Sequence, residues 1–336
     1  MLQKIISLVI ELKKILFRCD SSFNLGLGHV KRCLVLAKRL KEQNSDIEIL
    51  FASLALKGNI NEEIVSKGYI LELLEDSSLE ILDKKIKELR VDFLIIDSYS
   101  IDEVFEKELK QKNQKLKVLS FDDTFCLHYV DMLLNHGIQA KKSDYKDLVP
   151  AFCKVLCGSE YTLLRDEFFM EYQNSIEENS VAILLGGNDV LNLSSKVANA
   201  LLEINSKYSI SIITSSVNPY IEELRQRVDI KLLVDIDNIA EVLSSKEFVI
   251  VASGGSLFEV MALKKKFINI EVATNQKEVT NFLEVNLIKT TIKADEFSLE
   301  KLRAKIEYIK KSDIYKKIEL NFSKDRVAKM ILEELV

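Results

Sequence analysis

A turn with two glycines and a histidine is the first place in the sequence where residue types and spacing could support catalysis. The turn follows an apolar run that predicts a strand, and it contains Gly26, Gly28 and His29. Glycines permit backbone torsions and a close ligand approach that side chains would block. His29 falls at the start of the next predicted helix, whose positive end favours the neutral imidazole that a general base needs. Asp20 could orient that ring or contact the substrate.

The same residues also fit a structural glycine turn beside a hydrogen-bonded histidine. A dinucleotide fingerprint needs a third glycine three residues after the second, and that position is Lys31. The pattern therefore does not predict a dinucleotide site. A catalytic histidine and a structural turn both stay open on the residues alone.

Polar or glycine-containing turns also follow two other buried runs. Asp97 and Tyr99 leave one of them, and an acid and a phenol there could hold sugar hydroxyls. A strand-end cap beside a half-buried tyrosine is the alternative. The second turn contains Gly186, Gly187 and Asp189, and its exposed amides could bind phosphate. A tight structural turn is the alternative there.

The most specific pattern joins a strand, a glycine pair and a serine-started helix. The set comprises, in chain order, Ser253, Gly254, Gly255, Ser256 and Glu259. Amides at the start of such a helix form a cradle for an anion. Glu259 lies one turn into the helix, where its carboxylate can accept from both hydroxyls of a ribose. Asn275 and Gln276, after the next predicted strand, could reach into the same cleft.

Charge and cysteine content narrow the class of protein. The chain has 336 residues and a net charge of −5, with 47 basic and 52 acidic residues spread along it. No basic stripe for nucleic acid is evident, so backbone amides and a few side chains must hold an anionic ligand locally. The five cysteines lack CxxC spacing, and no His or acid completes a zinc pattern. We therefore expect no metal, no cofactor, reduced thiols and a cytoplasmic location.

Two further features predict structural roles. His128 and His136 flank a strand-like run, where an ordinary structural role is the expectation. Residues 1–13 form an extension whose apolar part, residues 5–10, is too short to span a bilayer and is followed by no small-residue cleavage site. We expect a short amphipathic extension or an upstream start codon there, without membrane insertion. A weak membrane-surface contact is the alternative.

Strand-like and helix-like runs alternate from residue 15 onward. The first half predicts strands at residues 15–18, 47–52, 91–97, 116–121 and 132–135. Its predicted helices cover residues 30–40, 61–67, a stretch from the capping pattern at 77–80 to about 90, and 102–112. The second half predicts strands at residues 180–185, 209–215, 231–235, 248–253 and 267–272, with a helix at 193–204.

This alternation predicts an α/β protein with parallel, doubly wound sheets. Each half opens with a strand and a glycine turn, so we expect two Rossmann-like domains facing a cleft. The predicted domains cover residues 14–172 and 173–310, with the boundary in a polar stretch that lacks an apolar period. Residues 311–336 are expected to form helices that pack back towards the first domain.

The order of the motifs resembles the UDP-sugar hydrolases of pseudaminic acid biosynthesis, the PseG type. The similarity runs over residues 14–287, and its first motif is R-x-D-x(5)-G-x-G-H-x-x-R, from Arg18 to Arg32. The other matching segments are residues 145–150, 157–168, 186–189, 253–259 and 275–276. This resemblance implies a GT-B-like fold related to the MurG glycosyltransferase, and chemistry that needs no metal.

The resemblance also implies a reaction and a set of site residues. The family removes UDP from UDP-2,4-diacetamido-2,4,6-trideoxy-β-L-altropyranose by attack of water on the anomeric carbon, with inversion and C–O cleavage. By position, His29 matches the base, Tyr99 a tyrosine near the sugar, and Glu259 the ribose contact. Arg32 falls among the substrate-binding positions. Ser98 departs from the histidine that commonly precedes this tyrosine, which leaves the exact sugar open.

Two rival functions stay open at this point. A GT-B glycosyltransferase would use the same nucleotide site with a sugar acceptor in place of water. A non-catalytic nucleotide-sugar-binding protein would bind the ligand without turnover. The resemblance links the chain to flagellin glycosylation, and we expect a monomer whose partner is the UDP-sugar substrate.

Overall fold

The computed structural model describes residues 12–313 and 319–335, and these form two parallel sheets with helices on both faces. The predicted extension lies outside the described residues over 1–11, and Lys13 already begins the first strand. The prediction of two Rossmann-like α/β domains is confirmed. The exact boundary at residues 172 and 173 stays a prediction. None of the helices in the described part of the chain is both long and apolar enough to cross a membrane.

The first sheet has seven parallel strands, in the spatial order β3-β2-β1-β4-β5-β6-β7. They are β1 (Lys13–Cys19), β2 (Ile47–Leu54), β3 (Ile70–Leu74), β4 (Phe93–Asp97), β5 (Lys117–Phe121), β6 (Met132–Asn135) and β7 (Lys154–Cys157). The helices are α1 (Gly28–Gln43), α2 (Asn61–Ser66), α3 (Leu79–Leu89) and α4 (Glu103–Lys112). The strand order reverses between β1 and β4, so the turns after these two strands meet at a topological switch point, where open α/β sheets bind ligands.

The second sheet has six parallel strands, in the order β10-β9-β8-β11-β12-β13. They are β8 (Glu177–Leu184), β9 (Ser209–Thr214), β10 (Lys231–Val234), β11 (Lys246–Ala252), β12 (Phe267–Glu271) and β13 (Thr291–Lys293). The helices are α5 (Leu193–Ile204), α6 (Ile221–Arg225), α7 (Ile239–Ser245), α8 (Gly255–Ala262), α9 (Lys277–Val285) and α10 (Leu299–Lys311). The switch point lies between β8 and β11, which brings together the two glycine turns that follow these strands.

Burial on both faces explains why the central strands are continuous apolar runs. In β1, Ile15 and Phe17 belong to one apolar cluster of the first domain, whereas Leu16 belongs to the cluster on the opposite face. All five residues of β4 are buried. Such strands show no alternation of polar and apolar residues, because helices cover both sides of a parallel sheet.

Two connections of the chain join the domains. The first lies between β7 and β8 and contains a short 3₁₀ helix, Asp166–Phe169. The second leads from α10, which packs in the second core, to α11 (Arg326–Glu334), which packs with α1 in the first core. Asp166 accepts hydrogen bonds from Lys38 and Arg39 of α1, and its Oδ1 lies 2.6 Å from Lys324 Nζ on the second connection.

The structure corrects some predicted elements. Strands β3, β7 and β13 were not predicted, because edge strands are short and lack a continuous apolar run; β3 leaves Ile70 and Leu73 exposed. The capping pattern that starts at Ser77 is wrong by one residue. Helix α3 begins at Leu79, and Ser78 precedes it without a side-chain cap.

Candidate active site

His29 lies beside Asp97 at the switch point of the first domain. Strands β1 and β4 are neighbours, with Cys19 opposite Asp97, so the helix that follows β1 begins next to the end of β4. His29 Nδ1 is 2.5 Å from Asp97 Oδ1, and both side chains are buried. An ionised carboxylate only accepts hydrogen bonds, so Nδ1 carries the proton and Nε2 of the neutral ring is the free acceptor. The ring can therefore take a proton at Nε2.

Arg32, one turn after His29, fixes the Asp97 carboxylate. Arg32 Nε is 2.6 Å from Asp97 Oδ2, and Arg32 NH2 is 2.6 Å from Oδ1, a bidentate pair. Burial alone would raise the pKa of Asp97, but the charges and hydrogen bonds of Arg32 and His29 outweigh it and hold that pKa well below its usual range. Asp97 therefore stays ionised and keeps the imidazole in one orientation.

The remaining donors of Arg32 also face the protein. Arg32 NH1 lies 3.3 Å from Asp123 Oδ2 and 3.0 Å from His136 Nε2, and the guanidinium stacks over Phe121. Two carboxylates, an imidazole and a ring thus surround the guanidinium, and its predicted substrate contact stays a prediction. Asp97 ends β4 and Asp123 follows the neighbouring β5, and both carboxylates attract the guanidinium towards the protein.

His136 is a further site residue, for which the sequence predicts only an ordinary structural role. Burial lowers the pKa of His136 to about 3, and the charge of Arg32 acts in the same direction. The neutral ring accepts from Arg32 at Nε2, so its proton is on Nδ1. The ring also contacts Phe258 of α8, with 5.9 Å between ring centroids. The sequence position of His136 could have indicated a site residue. It follows the carboxyl end of β6, as Tyr99 follows the carboxyl end of β4, and ligands bind at that edge of a parallel sheet.

Asp20 does not orient His29, contrary to one prediction. Its Oδ2 lies 2.7 Å from Arg18 NH1, and its Oδ1 accepts from the Leu54 amide at 2.7 Å. These contacts tie the end of β1 to β2. His29 lies on the other side, towards β4, and therefore meets Asp97.

The two glycines of the first turn have different conformations. Gly26 has a φ of +78°, and its amide donates to Ser22 O at 3.0 Å, which closes a tight turn. Gly28 is the first residue of α1 and is absent from the glycines with positive φ. At both positions, none of the described atoms lies within 4 Å of where a Cβ would be, apart from immediate chain neighbours. The turn therefore leaves open space beside His29.

Tyr99 joins the two domains next to His29. Its hydroxyl donates to Asp123 Oδ1 at 2.8 Å and accepts from Asn275 Nδ2, in the second domain, at 3.0 Å. Its ring meets the His29 ring edge-on, with 4.9 Å between centroids. Burial raises the pKa of Tyr99, and the Asp123 carboxylate adds to that shift, so the phenol stays protonated. Tyr99 and Asn275 thus lie together at the cleft, as predicted from separate motifs.

The start of α8 faces this group from the second domain. Gly254 precedes the helix, and Gly255 begins it in an exposed position. A Cβ at Gly255 would lie 4.0 Å from His136 Cε1. Gln276 lies behind the glycine pair, with its Nε2 3.6 Å from the Cβ position of Gly254. The amides and positive end of α8 are thus directed at the cleft, where they can stabilise an anion.

Three other predicted residues of the second domain differ in how they are used. Ser256 is half-buried at the second position of α8. Ser253 is buried and accepts from Asn269 Nδ2 at 2.9 Å, so its hydroxyl belongs to the core. Glu259 is half-buried and forms a two-bond ion pair with Arg165.

The turn after β8 packs against the first domain. A Cβ at Gly187 would lie 2.6 Å from Leu27 Cδ1, so the glycine allows the two turns to touch. Asn188 Nδ2 donates to Ser22 O at 3.0 Å across the same contact. Gly186, with a φ of +92°, forms the bend that leads into it. Gly187 therefore serves close packing here, where the sequence predicts a phosphate contact.

Asp189 forms a cap at the start of α5. Its carboxylate accepts from the amides of Leu193 at 2.9 Å and Ser194 at 2.8 Å. The side chain is buried and satisfies amides at the start of α5, which would otherwise lack partners. The structure thus shows both oxygens of Asp189 in a helix cap, and its predicted ligand role stays a prediction.

The grouped residues can support hydrolysis of a phosphorylated sugar. The first domain supplies an imidazole whose Nδ1 is bonded to a carboxylate, and the second supplies a helix start that suits a diphosphate. Within residues 12–313 and 319–335, no three His, Cys, Asp or Glu side chains are grouped to hold a metal ion.

Comparison with known proteins identifies relatives in sequence. The chain is 39% identical over 275 residues to the UDP-2,4-diacetamido-2,4,6-trideoxy-β-L-altropyranose hydrolase of Campylobacter jejuni, and the match covers 80% of this chain and 96% of that protein. It is 28% identical over 265 residues to an uncharacterized protein of Methanocaldococcus jannaschii, covering 74% of this chain and 54% of that protein. No protein-family profile matches the chain.

Solved structures show the same fold at low identity. The MurG of Acinetobacter baumannii superposes with a TM-score of 0.62 at 12% identity, over 96% of this chain and 99% of that one. LpCGTa in complex with UDP gives 0.62 at 11% identity, over 97% and 100% of the two chains. A UDP-glucosyltransferase from Polygonum tinctorium gives 0.65 at 10% identity, over 97% and 99%. These likenesses concern the fold alone, and they confirm the predicted GT-B-like arrangement.

Proposed function

We propose that this chain, which belongs to the family of UDP-2,4-diacetamido-2,4,6-trideoxy-β-L-altropyranose hydrolases, hydrolyses that nucleotide sugar to UDP and the free sugar. Water attacks the anomeric carbon with inversion, the bond from that carbon to the diphosphate oxygen breaks, and UDP leaves with the oxygen. The reaction is a step of pseudaminic acid biosynthesis, and its product would serve flagellin glycosylation. The protein would act as a cytoplasmic monomer.

The observation that carries the proposal is the His29–Asp97 pair, which Arg32 links to His136 beside the start of α8. Asp97 holds the Nδ1 proton of His29 at 2.5 Å, which leaves Nε2 as the base for water. The open space beside Gly26 and Gly28 would take the water or part of the sugar. An attack from this side, opposite the diphosphate, inverts the anomeric centre.

Residues of the second domain would bind the UDP half. Amides of Gly255 and Ser256, at the start of α8, would stabilise the charge that develops on the diphosphate. UDP is a good leaving group, so the reaction does not depend on a strong general acid. Glu259 would accept from a ribose hydroxyl.

Tyr99 and Asn275 would position the sugar. Their hydrogen bond of 3.0 Å joins the two walls of the cleft next to His29, so a sugar bound between UDP and the imidazole must pass beside it. Gln276, beside Gly254, and Gly186 would line the second-domain side of the substrate site.

An isotope experiment tests the proposed reaction. NMR of the UDP-sugar with enzyme in ¹⁸O-water should show label in the sugar, none in UDP, and an inverted anomer as the first product. Label in UDP would mean P–O cleavage and would contradict the proposal.

A glycosyltransferase is the second candidate, and it is favoured by the solved transferases that share the fold. It differs in one outcome. A transferase would release UDP only when a sugar acceptor is added, whereas the hydrolase releases UDP in buffer alone. Binding without turnover under both conditions would point to a nucleotide-sugar-binding protein.

A further inference from the structure

Arg165 belongs to the connection between the domains, yet it contacts the nucleotide half of the cleft. It directly precedes the 3₁₀ helix Asp166–Phe169. Its Nε donates to Glu259 Oε1 at 2.8 Å, and its NH2 donates to Oε2 at 2.9 Å. Both oxygens of one carboxylate are thus held by one planar group, which fixes the plane in which that carboxylate lies.

The second domain holds the arginine itself in place. The guanidinium stacks over Phe168, 5.1 Å from the ring centre, and Phe168 is buried in the second core. Arg165 NH1 lies 3.3 Å from Glu167 Oε1, and the same oxygen accepts from the Ile239 amide at the start of α7. Arg165 and Glu259 therefore move with the nucleotide half of the protein.

The pairing leaves the carboxylate able to bind a ligand. An ionised carboxylate has about four acceptor sites, two on each oxygen. Arg165 occupies one site on each oxygen, so one site on each oxygen remains for another donor. These remaining sites lie on the outer sides of the two oxygens and diverge, so one of them can accept a single ribose hydroxyl, here the 2′-hydroxyl.

The pairing also answers an electrostatic difficulty. A carboxylate in a pocket that binds a diphosphate adds a like charge to the site, which disfavours the ligand. Arg165 neutralises the charge of Glu259 locally. The side chain of Glu259 is only 13% exposed, so solvent screens that charge little. Glu259 can then lie beside an anionic ligand without repelling it.

We propose that Arg165 is a positioning residue that orients and neutralises Glu259, so that the site selects ribonucleotides over deoxyribonucleotides. The inference rests on the proposed function, because it takes UDP to bind at α8. Lysine does not replace the arginine, because an ammonium group cannot hold both carboxylate oxygens in one plane.

Calorimetric binding of UDP and 2′-deoxy-UDP tests this role. We expect the wild-type protein to prefer UDP by roughly tenfold or more, as for a lost hydrogen bond to a charged group. Arg165→Lys should weaken UDP by about tenfold, leave 2′-deoxy-UDP within about threefold, and so remove most of the preference. Arg165→Gln is the second variant, should the lysine variant fail to fold.

Arg326→Lys is a matched control. Arg326 also pairs with a glutamate, with its Nε 3.0 Å from Glu160 Oε2, and stacks over Tyr161, but it lies on α11 in the first domain. This variant should leave both affinities unchanged. In the Glu259→Gln background, Arg165→Lys should add no further loss of preference, because the two residues act through one contact.

Four outcomes would overturn the proposal. Equal weakening of both nucleotides by Arg165→Lys would show a merely structural role, and unchanged UDP binding would show no role. Tighter UDP binding would mean that Arg165 competes with the ribose. Equal affinity of the wild-type protein for UDP and 2′-deoxy-UDP would show that the site does not discriminate by the 2′-hydroxyl. If the wild-type protein binds neither nucleotide, the proposed function itself is contradicted. This outcome differs from the four above, in which UDP still binds.

Discussion

Asp97→Asn is the substitution that most directly tests how the first domain prepares His29. Asparagine keeps the size of the side chain but carries an amide that can donate to His29 Nδ1. The imidazole can then carry its proton on Nε2, and that tautomer cannot accept a proton from water. Arg32 keeps only the more distant Asp123, at 3.3 Å, as its charged partner.

The expected loss of turnover follows from what the base contributes. General-base catalysis is worth about 10²–10⁴-fold, and Asp97 acts only through His29, so its loss is bounded by the same range. We expect a fall in kcat of about 10²-fold or more, equivalent to ~3 kcal/mol in the barrier. KM should change little, because Asp97 lies behind the imidazole. Breaking a buried ion pair also costs ~3–5 kcal/mol of stability.

The assay combines turnover with folding and binding controls. UDP release from the UDP-sugar gives kcat and KM, urea unfolding gives the stability, and calorimetry with UDP shows that the second domain is intact. The decisive comparison adds Asp97→Asn to His29→Ala. If Asp97 acts through the imidazole, the double variant should turn over no more slowly than His29→Ala alone, to within about threefold.

Two results would refute this reasoning. Turnover of folded Asp97→Asn within about threefold of wild type would mean that the tautomer of His29 does not matter. A further large loss in the His29→Ala background would mean that Asp97 acts on the substrate directly.

Three other substitutions have specific expected outcomes. His29→Ala should keep UDP affinity in calorimetry yet lose turnover by about 10²–10⁴-fold; near-normal turnover would exclude His29 as the base. Asp189→Ala should lower the urea-unfolding stability by ~1 kcal/mol through loss of the α5 cap and leave KM unchanged, whereas a raised KM would support a ligand role. Although burial lowers the pKa of His128, the hydrogen bond with Glu106 and the nearby carboxylate of Asp122, 3.9 Å from Nε2, raise it to about 9. That stabilisation is complete below the ordinary histidine pKa and is lost as pH rises through 9, so wild type should lose up to about 3 kcal/mol more than His128→Gln between about pH 6 and 10. Parallel stability curves would contradict this.

Local patterns predicted which turns lie together at the candidate site. The Gly26–His29 turn and the Gly254–Gly255 helix start could both be predicted, because a buried parallel strand leaves a continuous apolar run and glycine marks its end. The partner of His29 could not be predicted in the same way. Asp20 is closer to His29 in sequence, but β4 is the neighbour of β1 on the side where His29 lies. Local sequence patterns do not predict the order of strands in a sheet.

Polar side chains were predicted less well than backbone positions. Asp189 and Arg32 have the residue types of ligand-binding groups, but their use depends on which buried donors and acceptors lie nearby. Arg165 shows the same limit, since its contact with Glu259 spans 94 positions of the chain.

The return of the chain end to the first domain has a mechanical consequence. Because α11 packs with α1, the chain returns to the first domain, and the contact between Asp166 and Lys324 joins the described parts of the two connections. Two connections joined in this way act as a hinge. They permit the domains to rotate about one axis and resist twisting and sliding of one domain against the other. Any opening of the cleft would then swing α8 away from His29 along a single arc and return it to the same register on closing.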